Sequence, residues 1–434
     1  MNRDIVLVQR PGPTASVVVR NARLLDPAAG IDRTGDLVVR DGRIGGDPKG
    51  LPEIDGDGLV VVPGFVDPHV HLRTPGREDT EDIGSGSRAA AAGGYVAIAA
   101  MPNTDPPVDD AQDLVRLREL AADEAVIGVG FICAITKGQR GSELTEAAEL
   151  AELGAVALSD DGHPVGNAAV FRRALQYQHL AHLPLTLHEE DVDLSAGGAM
   201  HEGAVSARLG VGGIPAVSES VAVARDVALA GYEGARIHIC HVSALETVEE
   251  VRLGKARGIH VTAEVTPHHL LLIDEDCEDL DPATRKMNPP LRGTNDRDAL
   301  LAALVDGTLD CIATDHAPHG ASEKELPFEE APFGVTGLET AFASLYTYLV
   351  VPGKLPLEVL VQRMSADAAR VLDLPVPTLA DGAPANLTVL DLGATWVVGA
   401  DGFQSKSRNS AFLGARLTGR VQLTIAGGQL AWQR

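Results

Sequence analysis

The sequence is short of cysteine, of basic residues and of long apolar runs, and each shortage removes a class of protein. Its four cysteines, Cys133, Cys240, Cys277 and Cys311, show no CxxC spacing, and three lie in apolar runs, FICAIT, HICHVS and DCIATD. Buried, reduced thiols in an intracellular chain are expected, not a disulfide framework. Lys and Arg number 36 against 61 Asp and Glu, a net charge of −25. A field of that sign repels phosphate backbones and anionic lipid, so neither nucleic acid nor a membrane is an expected partner. No window approaches ~18 uninterrupted apolar residues. The opening MNRDIVLVQRPGP lacks an apolar core and a small-residue cleavage site, so a cytoplasmic location is expected.

What is present is ordinary globular composition, 45% hydrophobic and 22% charged, over 434 residues. That length suits about three units of ~150 residues, or one large barrel with an appendage. Short β-type runs open the chain, SVVVRNARLL, DLVVRDGRI and GLVVVP, separated by Asp, Gly and Pro. The same grammar returns in ANLTVLDLG, TWVVGADG and RLTGRVQLTIAGGQLAWQR. Neither end has enough strands for a core of its own. Residues 1–62 and 371–434 are therefore expected to combine as one composite β-sandwich, with residues 63–370 inserted between them.

The inserted segment alternates eight apolar runs, FVDPHVHLR, YVAIAAMPN, AVIGVGFICAIT, GAVALSDDG, LPLTLHEED, ARIHICHVS, HVTAEVTPHH and LDCIATDHAPH, with helix-like text such as DLVRLRELAADE and AVFRRALQYQHLA. Strand then helix, repeated eight times, predicts an α/β fold, a (β/α)8 TIM-like barrel. An open doubly wound sheet is disfavoured, because no GxGxxG turn follows the first strand.

Polar residues collect at the C-terminal ends of those runs, the face on which barrel active sites lie. His69 and His71 are two apart on a strand and point to one side. Asp160-Asp161 ends the fourth run, His188 the fifth, His241 the sixth and Asp315 the eighth. Any one of these in an apolar context reads as a core histidine or a turn carboxylate. Together they make one rim of imidazole and carboxylate without thiolate, which suits a catalytic zinc. His238, deeper in the sixth run, reads as structural, and His268 and His269 as site wall or loop.

With these motifs in view, the sequence resembles the amidohydrolase superfamily and, within it, dihydroorotases of the long bacterial type. The likeness rests on PGFVDPHVHLRTPG (63–76), MPNT (101–104), SDDG (159–162), GGAMHEG (197–203), HVTAEVTPHHL (260–270), KMNPPLR (286–292) and IATDHAPH (312–319). The resemblance implies that His69 and His71 bind a first zinc, with Asp315 as ligand and general base. It implies that His188 and His241 bind a second, with Asp161 bridging, so that one or two Zn2+ are held per subunit. Many relatives bridge with a carboxylated lysine, and GAVALSDDG has no lysine. That disfavours hydantoinase and allantoinase, and the carboxylate-binding set of Arg73, Asn103 and His319 that the resemblance implies weighs against dihydropyrimidinase.

The resemblance further implies a carboxylate cradle of Arg73, Asn103 and His319 beside His71, with Asn288 on the ring amide. Phe333 and Gly334 would contribute backbone contacts from a covering loop, 317–334. Thr74 stands where the family often has Glu, so local electrostatics differ there. The implied activity is reversible zinc-dependent cyclisation of N-carbamoyl-L-aspartate to L-dihydroorotate, a step of pyrimidine biosynthesis, on a small-molecule substrate. A homodimer and an aspartate carbamoyltransferase partner are also implied. A non-catalytic scaffold is the competing class, but such relatives usually lose metal ligands, and the expected set is complete here.

Overall fold

A computed structural model describes residues 6–280 and 283–434; the first residues of the opening segment, 1–5, lie outside the described residues. All eight apolar runs become strands: Phe65–Val70, Tyr95–Ala100, Gly128–Cys133, Ala157–Leu158, Leu185–Leu187, Arg236–Ile239, His260–Val265 and Cys311–Ile312. They lie side by side in chain order, all parallel. A parallel bridge from Val70 to His316 joins the first strand to the chain just past the eighth, so the sheet closes into a barrel. Below that seam the buried Asp67 carboxylate accepts from the Thr314 hydroxyl at 2.6 Å. Burial pushes its carboxyl up to about 7.

The strands are largely apolar because both faces are covered: every residue of Phe65–Val70, Tyr95–Ala100 and Gly128–Cys133 is buried. The intervening helices follow from capping and spacing. Ala111–Glu124 starts at Asp110, whose side chain accepts from the Asp113 amide, and it buries Leu114, Leu117 and Ala121 at intervals of three and four. Each leucine so buried contributes about 2 kcal/mol. ELTEAAELAELG yields only Ala147–Glu152, because Gly154 at φ 96° turns the chain into the fourth strand. Among the described residues no helix is long and apolar enough to cross a membrane.

Both chain ends build a second, eight-stranded sheet. Leu59–Pro63 pairs antiparallel with the start of Leu387–Val397, and this register joins the N-terminal strands to the C-terminal ones. The sheet encloses its own apolar core, including Leu24, Val39, Val61, Leu387 and Ile425. Between Leu387–Val397 and Arg416–Ala426, residues 398–415 leave the sheet and lie against the barrel rim. There the Ser407 hydroxyl donates to the Thr80 carbonyl at 2.7 Å, and the Ser405 hydroxyl donates to Glu81.

Candidate active site

The polar strand ends open on one rim. Asp161 lies at its centre: its carboxylate is 3.5 Å from His69 Nε2, 3.7 Å from His71 Nε2, 3.8 Å from His188 Nδ1 and 3.7 Å from His241 Nε2. Asp315 stands 3.5 Å from His69 Nε2 and 3.0 Å from His71 Nε2. All six side chains are buried. Asp160 points away and serves the turn, accepting from the Ile135 and Thr136 amides at 2.8 and 3.0 Å.

Three of the imidazoles are oriented from behind. A carboxylate can only accept, so Glu264, 2.9 Å from His69 Nδ1, fixes the proton on that nitrogen and turns the Nε2 lone pair into the rim. Asn103 Oδ1 does the same for His71 Nδ1 at 2.8 Å, and its Nδ2 donates to Asp161 at 3.0 Å. Glu190 holds His188 Nε2 at 3.0 Å. Burial alone would raise the Glu264 carboxyl, but its bonds to His238 and His69 bring it down to about 2. Glu190 is brought to about 2 in the same way by His188. Neither glutamate was singled out in the sequence. Glu190 was discoverable as an acid two residues beyond His188; Glu264 lies inside an apolar strand and gives no such sign. His238 lies behind the rim, with its Nε2 3.0 Å from Glu264 and its Nδ1 2.9 Å from the Thr262 hydroxyl.

Lone pairs on His69 and His71 thus face two carboxylates, an arrangement that calls for positive charge between them. His69 Nε2 and Asp161 Oδ1 are buried, 3.5 Å apart, and have no hydrogen-bond partner among the described residues. Two donors about 2.1 Å from one tetrahedral ion stand about 3.4 Å apart. The donors therefore fit a divalent cation. His69, Asp161 and His241 form one candidate group, and His69, His71 and Asp315 another. Burial opposes ionisation of both aspartates, and positive charge at the rim, on the imidazoles when they are protonated, holds Asp161 and Asp315 well below the ordinary carboxylate range.

Backbone strain collects here too. Arg73, His241 and Asp315 have φ of 57°, 33° and 48°, the left-handed region that non-glycine residues avoid. Above the rim lies a cavity of about 240 Å³, lined by His71, Arg73, Asn103, Asp161, His188, His241, Asn288, Asp315, His319, Phe333 and Gly334. His69 lies beneath it, fully buried. Arg73 Nε donates to the Pro318 carbonyl at 3.1 Å, and its guanidinium comes within 3.3 Å of His319 Nε2. Burial and the Arg73 charge push His319 down to about 2, so the ring stays neutral and donates to the Phe333 carbonyl at 2.7 Å. Asn288 Nδ2 donates to Glu190 at 3.0 Å. Thr74 turns back on its own loop, its hydroxyl 3.4 Å from the Leu72 carbonyl.

The fold superposes on L-hydantoinase (dihydropyrimidinase) from Arthrobacter aurescens with a TM-score of 0.86, at 26% identity over 96% of each chain. Dihydropyrimidinase from Brevibacillus agri gives a TM-score of 0.83 at 22% identity over 96% of this chain and 95% of that one, a likeness of fold alone. Barrel, second sheet and rim cluster together are those of a cyclic amidohydrolase. The Dihydro-orotase-like family model matches residues 58–247. The dihydroorotase of Solibacter usitatus is 46% identical over 423 residues, 96% of this chain and 98% of that one. The dihydroorotase of Anaeromyxobacter dehalogenans is 48% identical over 422 residues, 95% and 96% of the two chains. The chain belongs to the dihydroorotase family.

Proposed function

We propose that this chain interconverts N-carbamoyl-L-aspartate and L-dihydroorotate with zinc held at the rim. One observation carries the reading: Arg73, Asn103 and His319 line the same cavity as the histidine and aspartate cluster. A substrate with an amide to attack and a carboxylate to grip matches that wall. His69, His71 and Asp315 would hold one ion and His188 and His241 another, with Asp161 between, at one or two per chain. When bound, the metal polarises an amide carbonyl and makes water acidic enough to attack near neutral pH.

The chain's own groups supply the rest. Asp315, ionised at neutral pH, accepts the proton of the attacking water and hands it to the departing ring nitrogen. Ring closure reverses both transfers. Arg73 offers a planar guanidinium to the substrate carboxylate, and Asn288 an amide to the ring. Phe333 and Gly334 present backbone groups to the bound ring. A homodimer and an aspartate carbamoyltransferase partner belong to the same reading. A cytoplasmic location is supported by the four cysteines, all free and buried.

The test is turnover of dihydroorotate, hydantoin and allantoin by the purified chain, side by side. Dihydroorotate is expected to be the preferred substrate by at least ~100-fold. A higher kcat/KM on either carboxylate-free ring would overturn the reading.

A further inference from the structure

The excursion 398–415 brings one side chain up behind the wall of the cavity from the far end of the sequence. Asn409 is buried, and its planar amide is fully engaged. Its Oδ1 accepts from the His319 amide at 3.2 Å, and its Nδ2 donates to the carbonyls of Ala317 at 3.1 Å and Gly334 at 3.2 Å. Its own carbonyl accepts from the Thr336 amide at 3.1 Å.

These partners are not arbitrary backbone. Ala317 and His319 flank Pro318, whose carbonyl receives Arg73 Nε. Asn409 therefore grips the chain on both sides of the point to which the guanidinium is tied. Gly334 packs directly against Ala317 and follows Phe333, whose carbonyl receives the His319 ring. One amide thus joins the two adjacent segments of the wall, 317–319 and 333–334.

We propose that Asn409 is a positioning residue for recognition of the substrate carboxylate, fixing the backbone of Ala317, His319 and Gly334 so that the His319 ring and the Arg73 guanidinium converge. The proposal rests on the reading of Arg73 and His319 as the carboxylate cradle. The side chain must offer one acceptor and two donors in a plane, which asparagine does. Aspartate would keep the acceptor for the His319 amide but set a carboxylate against two carbonyls. Alanine would leave three buried backbone groups without this partner.

The experiment compares N409A, N409D and R73A with the unaltered zinc-loaded enzyme, measuring kcat and KM for dihydroorotate together with metal content. N409A and N409D are expected to raise KM about tenfold or more while kcat stays within about threefold and metal content is unchanged. If one variant does not fold, the other carries the measurement, since it removes the same two donated bonds. An unchanged KM in N409A or N409D, with KM raised in R73A, overturns the role of Asn409 alone. An unchanged KM in R73A overturns the cradle itself. A fall in kcat with loss of metal and no change in KM also overturns the proposal, because it would make Asn409 part of the support for the metal ligands.

Discussion

Glu264 and His69 are both fully buried, with a carboxylate oxygen 2.9 Å from Nδ1, although 195 residues separate them in sequence. The same carboxylate also meets His238 at 3.0 Å and lies 3.3 Å from the His241 amide. One buried acid thus sets the direction of one rim histidine and the backbone of another.

Glu264→Gln should keep the shape but lose the charge that commits the His69 proton. Metal affinity is expected to fall 10- to 100-fold, read by titrating zinc into chelator-stripped protein. Affinity equal to that of the unaltered chain would show that His69 needs no such partner.

Asp315→Asn should fold, and bind most of its metal through His69, His71 and Asp161. Its kcat is expected to drop by ~100-fold or more, since a neutral amide takes up no proton. Steady-state rates near normal would remove Asp315 from the role of base.

Metal removal should be reversible and complete in effect. Elemental analysis is expected to find one to two equivalents of zinc, and dialysis against a chelator to abolish turnover until zinc is restored. Because a bound ion stabilises the folded state by mass action, the stripped protein should also melt lower. Full activity after verified stripping would contradict the rim as a metal centre.

Lys324 is buried with its Nζ donating to the Pro332 and Gly334 carbonyls at 2.8 and 2.9 Å. Burial, with the nearby Lys286 charge, pushes its ammonium down from 10.5 to about 7. Between pH 7 and 10.5 the unfolded chain then holds the proton that the folded chain has released, so this group's contribution to stability rises with pH. Lys324→Met abolishes that rise. Urea midpoints measured from pH 7 to 9.5 should therefore move in favour of the unaltered chain, and parallel curves would refute the burial of a titrating ammonium.

The barrel was legible because each strand is covered on both faces and so reads as an apolar run closed by turn residues. The rim was legible because its histidines and aspartates stand where those runs stop. Asp160 and Asp161 could not be separated by chemistry, being identical neighbours; the turn after Leu158 aims one at the Ile135 and Thr136 amides and the other at the histidines. Glu264 was hidden because its partner is far away in the chain and its neighbours are apolar. Lys324, in SEKEL, and Asn409, in SKSRNS, sit in text that looks like a solvated surface. Only packing reveals that each is enclosed by backbone carbonyls.

The rim segment at 405–409 is encoded some ninety residues after the last barrel strand ends at Ile312. During synthesis Ser405, Ser407 and Asn409 are therefore made after every strand of the cylinder. Competence is thereby deferred: a nascent barrel lacks the final brace of its own mouth until the closing strands dock.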